Sequence, residues 1–388
     1  MRRLLVQYRF HILFVLLGVG VALWLAQFFV WPTSIPTKTS FSLSAADEGL
    51  RQFDMYQKGR VTEVLETIDD EYDGRVVGFR QDVRVDVAGK QFRTLYATQP
   101  GVTVPKLSVG DRVVVTMLKT GEGESEYIII DRYRLPALTW VVGLFCILVL
   151  LVGLWRGLAS LFGLAFSFAV LVFGVAPNIL LGHDPVLVTL IGGALVVLVN
   201  TFVSHGMRSQ SVLALAATVV SLVAGLAAAH VALPAVQLFG TADSTLVFLQ
   251  SGLMGALQLP SVFMAAIIIG ALGVLDDVIV TQIESVHQLS LVNTTLSQKE
   301  LFVRGMAVGR HHIAAVINTL MLAYAAVALP LLLLVLATAS EPAWVVLNSE
   351  QIAEEIVRSI LGSAALILAV PIATVLAAMR YGHQKPQA

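Results

Sequence analysis

From Pro136 onward the chain is a succession of apolar runs, most of them long enough to cross a hydrocarbon core. In lipid every backbone N–H and C=O must be satisfied within the fold, so such runs become helices. They cover residues 137–154, 157–176, 186–203, 211–233, 261–283, 313–339 and 356–379. An eighth, over residues 12–31, follows Arg2, Arg3 and Arg9. Charged residues make up 13% of the 388 residues and hydrophobic ones 57%. A soluble protein carries about 25% charged residues. The expected fold is a polytopic α-helical membrane protein with about eight transmembrane helices.

The charge is concentrated elsewhere. Of the 25 basic and 26 acidic residues, 30 fall between Ser34 and Leu135. That quarter reads as a water-soluble domain. Strand-like alternation covers residues 60–66, 82–87, 92–97, 112–118 and 126–132. Turn signals stand between them at Asp73-Gly74, Ala88-Gly89, Val109-Gly110 and Thr120-Gly121. Five short strands predict a small β-barrel-like domain of the OB or SH3 kind. It shows no aromatic stacking face and no basic groove, so nucleic acid is not an expected partner. A structural or docking module is the simpler reading. The single cysteine, Cys146, excludes an internal disulfide.

The run over residues 12–31 is longer than the apolar core of a typical secretory signal, and no small-x-small cleavage site follows it. It reads as a signal-anchor helix, with a cleaved signal as the runner-up. The expected division is a signal-anchor over 1–33, a β domain over 34–135 and a seven-helix membrane domain over 136–388. A short apolar stretch near 246–260 holds Gly252 and Gly255 and closes on Pro260. It is too short to span and reads as re-entrant. With eight crossings and a cytoplasmic N-terminus, Arg156, Arg208, Lys299, Arg304, Arg310, Arg380 and Lys385 all fall inside with the N-terminal arginines. That pattern fits the positive-inside rule. Both termini are then cytoplasmic and residues 34–135 extracytoplasmic.

Within the run over 261–283 two carboxylates appear, Asp276 and Asp277. An ionised group at mid-bilayer costs about 3 kcal/mol by insertion scales, and such groups are functional by default. Gly270, Gly273, Asp277, Thr281, Glu284 and Gln288 recur at steps of three and four and share one helix face. The glycines allow a neighbouring helix to come close. If the helix ends near 283, Asp277 lies roughly 9 Å from its end. The next helix follows Arg304, Arg310, His311 and His312 and carries Asn318 at a similar depth. Asp277, Asn318 and Arg310 are expected to meet, with Asn200 joining from its own helix. The other reading keeps both carboxylates wet at the inner surface, with Arg310 an interfacial anchor.

Adjacent side chains on a helix diverge, so Asp276-Asp277 is not an aspartyl dyad and His311-His312 is not a metal pair. No HExxH, GxSxG or P-loop is present. The chain is not expected to be an enzyme, and no cofactor or metal is implied.

The GALG segment at Gly270–Gly273 followed by Asp277 resembles the core of the YibE/F-like family of bacterial membrane proteins. Gly309-Arg310, then Asn318-Thr319-Leu320 and Ala323-Tyr324, resembles that family's second motif. The resemblance covers residues 136–379. In that family an Asp usually follows the Gly-Arg pair. Here His311 stands there. The resemblance implies a multi-pass protein of a bacterial plasma membrane with an outer domain, and no particular activity. The residues themselves lead to two expectations. One is a permease-like transporter of a small solute or ion, with Asp276, Asp277, Thr281, Glu284, Arg310, His311, Asn318 and Asn200 along a polar path in the cytoplasmic half of the membrane. The other is an assembly or sensor protein whose outer β domain binds a partner. The lipid bilayer is the surrounding partner in both, and a homo-oligomer is a further expectation.

Overall fold

The computed structural model describes residues 53–72, 75–98, 104–119, 125–242, 244–250, 257–337 and 342–383. The expected signal-anchor helix over 12–31, together with Gly252 and Gly255, lies outside the described residues. The chain divides into two compact units, Ser40–Val152 and Gly153–Ala388 with Met1–Thr39.

The first unit is built on an antiparallel sheet of five strands in the order β3-β2-β1-β4-β5. They are β1 (Phe53–Tyr72), β2 (Arg75–Val87), β3 (Lys90–Ala97), β4 (Arg112–Lys119) and β5 (Ser125–Arg132). β1 is long enough to pair with β4 through its first half and with β2 through its second. Alternation puts Val61, Val83, Val85, Val87, Val113 and Val115 in one core with Leu107 and Ile129. Gly59 sits where β1 crosses the crowded centre; a Cβ there would run into Val85. Gln81 is buried and exchanges two hydrogen bonds with the backbone of Leu107, at 2.6 and 3.2 Å, so it clamps the loop before β4 onto the sheet.

The expected closed barrel is corrected here. β3 and β5 bring the rings of Phe92 and Tyr127 to 4.1 Å between centroids, but the two strands share no backbone ladder. Bulges near Val61, Val64 and Asp70 curl β1 strongly, and the aromatic pair fills the gap between the sheet edges. The sheet is curved and open.

In the helical part, α1 (Leu135–Ala169) continues through a π-helical turn (Val170–Val175) into α2 (Ala176–Leu180). The break expected between the spans at 137–154 and 157–176 falls at Leu154, whose non-helical φ of 48° and ψ of −129° separate two helices within Leu135–Ala169. The other helices are α3 (Pro185–His205), α4 (Ser209–Val236), the short α5 (Ser244–Leu249), α6 (Leu259–Val292), α7 (Gln298–Val327), α8 (Leu329–Ala337), α9 (Ala343–Leu347) and α10 (Glu350–Tyr381). The starts follow capping rules. Asp184 accepts from Leu187 N at 2.8 Å ahead of Pro185, and Ser297 and Glu300 form a reciprocal capping box.

Five of these stretches among the described residues are long and apolar enough to cross a membrane: Leu135–Leu180, Pro185–His205, Ser209–Val236, Leu259–Val292 and Glu350–Tyr381. The expected span over 313–339 is divided at Ala328, because Pro330 lacks a donor and its ring crowds the preceding turn. Pro260 is where the helical part resumes after residues 251–256, which lie outside the described residues. It lies in the first turn of α6, where its missing N–H costs nothing.

The centre of this unit is α6 against α10. α10 also packs on α4 and α7, and α6 on α3 and α4. Ala365, Ala369, Ala373 and Ala377 form a narrow stripe on α10. Ala214 and Ala217 of α4, and Leu275, Ile279, Ile283 and Val286 of α6, fill the space beside it. Small residues let helix backbones approach where lipid supplies no hydrophobic drive.

Candidate functional site

α6 does not stop near residue 283. Residues 284–292 contain no breaker, and Val286 and Leu289 continue the packed stripe, so the helix runs to Val292. Its 34 residues make a rod of about 51 Å. Asp276 and Asp277 are therefore near its middle, not one or two turns from an end.

The two carboxylates have different surroundings. Asp276 is partly buried, and its Oδ1 accepts a hydrogen bond from Thr201 Oγ1 at 3.0 Å. Thr201 itself is fully buried on α3. Close packing makes this contact possible: Gly193 of α3 has Leu272 of α6 where a side chain would otherwise stand. Asp277, about 100° further round α6, is exposed and takes no hydrogen bond among the described residues. Gly270, Gly273, Thr281, Glu284 and Gln288 are exposed on the same face. Glu284 accepts from Gln288 Nε2 at 2.6 Å, and His287 Nδ1 is 4.0 Å from it.

Asn200 does not join them. Its Nδ2 donates to Ser167 of α1 at 3.1 Å, and it fills the space left by Gly163. It holds α1 to α3, on a different side of α3 from Thr201. Arg310, His311 and Asn318 are exposed on α7 and contact neither carboxylate. The α6–α7 register is set at two points: Gln282 reaches Gly305, and the Tyr324 hydroxyl lies beside Gly270. That register puts Asn318 roughly level with Gly273, about one turn along from Asp277. The expected cluster of Asp277, Asn318, Arg310 and Asn200 is thus not assembled within one chain. The pair that is assembled is Asp276 with Thr201.

Two further polar groups were not singled out by the face-by-face reading. Gln282 is buried among three helices. Its Nε2 donates to Gly305 O of α7 at 2.9 Å and to Thr374 Oγ1 of α10 at 2.8 Å. Thr374 in turn donates to Val370 O at 2.6 Å. A Cβ on Gly305 would come within 2.7 Å of Val286 and 2.9 Å of Thr374. The glycines of α7 therefore serve α10 as much as α6. The signal was the spacing of Gly305 and Gly309 opposite Gln282, which stands between apolar neighbours on its own face of α6.

The second group lies at the start of α10. Glu350 accepts from Phe239 N at 2.9 Å, from Thr241 N at 3.2 Å and from the Thr241 hydroxyl. Glu354 is buried and accepts from Ala242 N at 3.3 Å. Arg358 reaches Glu355 at 3.4 Å and lies over the Phe263 ring. One turn of acidic residues thus gathers the chain that follows α4. No group of His, Cys, Asp and Glu suited to holding a metal occurs among the described residues.

Comparison with known proteins gives no match among curated proteins and none among solved structures. A family model described as YibE/F-like protein matches residues 141–383, which takes in every helix from α3 to α10 and most of α1, and the chain belongs to that family.

Proposed function

We propose that the membrane unit is a permease-like transporter of a small solute or ion, and that Asp276 is the group on which it turns. The observation that carries this is the Asp276–Thr201 hydrogen bond, halfway along α6 and between two candidate membrane helices. A carboxyl group there has a cost in lipid and a hydroxyl partner that offsets only part of it. A carboxylate and a hydroxyl are also the ligands a dehydrated cation or a transferred proton would meet. Asp277 on the adjoining exposed face extends the polar surface by a third of a turn. In this reading the termini are cytoplasmic, the sheet unit is extracytoplasmic, and the membrane is the bacterial plasma membrane, as the basic residues in the short loops suggest.

Proteoliposomes of the full chain with entrapped pyranine, energised by a valinomycin potassium potential, test this. Proton entry above that of protein-free vesicles is expected, with Asp276→Asn at the protein-free level. Equal entry in wild type and Asp276→Asn overturns the reading. Labelling of a Ser108→Cys variant in intact cells by an impermeant maleimide tests the orientation.

The assembly or sensor reading draws on a different observation. β3 and β5 each keep one edge without a backbone ladder, and a partner's strand that displaces the Phe92–Tyr127 contact could pair there. A protein recovered with the full chain, and lost when Leu95 on β3 is changed to Pro, would favour it over transport.

A further inference from the structure

The exposed face of α6 and the exposed face of α7 carry opposite charge. Asp277 and Glu284 stand on α6, and Arg304, Arg310 and His311 on α7. Neither arginine forms an ion pair among the described residues. α6 and α7 are packed neighbours in antiparallel register, fixed by Gln282 on Gly305 and by Tyr324 beside Gly270. In that register Glu284 is level with about Val303, one residue from Arg304. Asp277 is level with about Ile313, two or three residues from His311 and Arg310. Acid and base therefore lie at matching heights on adjacent helices, yet do not meet inside the chain.

We infer that this face is the interface of a symmetric dimer, with a second copy of the same chain as its occupant. Two copies inserted the same way are related by a two-fold axis along the bilayer normal. Such an axis brings together only residues of equal height. α6 of one copy then faces α7 of the other, twice over, and each acidic residue finds a base at its own level. Lipid tails offer no such counter-charge, and a different protein would have to supply both signs anew. Gly273 lies in the same face, with open space where a Cβ would be, so a second backbone can come close there. The inference does not depend on transport, since it uses the exposed face and not the Asp276–Thr201 pair.

Cysteine crosslinking in native membranes tests it, in a Cys146→Ser background that leaves no other thiol. Gly273→Cys is expected to form a disulfide-linked homodimer with copper phenanthroline. Val231→Cys, exposed on α4 away from this face, is expected to form none. Charge reversal at Glu284→Lys or Arg304→Glu should each lower the crosslinked fraction about tenfold, and the double reversal should restore it, as expected for complementary interface charges. Photobleaching steps of the wild type in nanodiscs give an independent count, with two copies expected. Equal crosslinking at Gly273→Cys and Val231→Cys, a crosslink to a different protein, or a single copy per nanodisc at every lipid ratio overturns the inference.

Discussion

Thr201 Oγ1 donates to Asp276 Oδ1 at 3.0 Å, and this one bond joins the middle of α6 to the last two turns of α3. Thr201→Val keeps the shape and removes the donor. Polar contacts between membrane helices contribute about 0.6–2 kcal/mol, so the variant should lose stability on that order. Thr201→Ser should retain most of it. Thermal unfolding in detergent checks both; equal melting of Val and Ser variants contradicts the assignment.

Gly309 faces Val370 of α10 and Gln282 of α6, whose Nε2 lies 3.0 Å from where a Cβ would stand. Gly309→Leu should force α7 off both helices and cost about 2 kcal/mol or more, as overpacking does. Gly273→Ala meets nothing within the chain and should leave its fold intact. Limited proteolysis of the α6–α7 turn distinguishes the two.

Gln282→Leu removes two bonds at once, to Gly305 O and Thr374 Oγ1. Buried polar contacts between membrane helices contribute about 0.6–2 kcal/mol. The loss should be shared with Thr374→Val, so the double variant should be less damaged than the two singles added together. Strict additivity in a double-mutant cycle would show that the two side chains act independently.

Glu350 holds the backbone of Phe239 and Thr241. In Glu350→Ala those two amides should exchange with deuterium about tenfold faster, because local opening no longer breaks a charged hydrogen bond. Amides of α4 upstream of Pro234 should be unaffected. Unchanged exchange at Thr241 would count against the clasp.

In the sheet unit the Arg93 hydrogen bond holds the Asp82 carboxyl below its ordinary value of 3.8. A carboxylate with a lowered folded pKa stabilises above the unfolded value and loses that contribution as pH falls through the folded one. Protection of the β2 and β3 amides should therefore be level above about pH 5 and decline below about pH 4. Asp82→Asn should flatten that decline. The effect should be small, since the pair is at the surface.

The apolar runs were legible because bilayer thickness leaves a long greasy segment few alternatives. The five strands were legible from alternation and Gly turns, but closure of the sheet was not. Whether β3 and β5 pair depends on bulges in β1, and the alternation does not show them. Asp276 and Asp277 stood out by charge alone. Which one would be held was not readable, because it depended on Thr201, 75 residues earlier, and on how deeply Gly193 lets Leu272 settle. The apolar run was expected to end near 283, although Glu284 and Gln288 were read on the same helix face. Only the packing of Val286 and Leu289 shows the helix continuing. Asn200 is polar and in the right helix, but Ser167 and Gly163 on α1 claim it first.

α10 rests on α4, α6 and α7, and His383 at its end donates its amide to Leu296 in the turn between the latter two. During synthesis it leaves the ribosome after all of them. α4, α6 and α7 are therefore made with their alanine and glycine seams bare, and Gln282 without Thr374, until α10 packs between them. Birth order thus makes the keystone the latecomer, and a stall in translation before residue 350 would strand an arch without its closing stone.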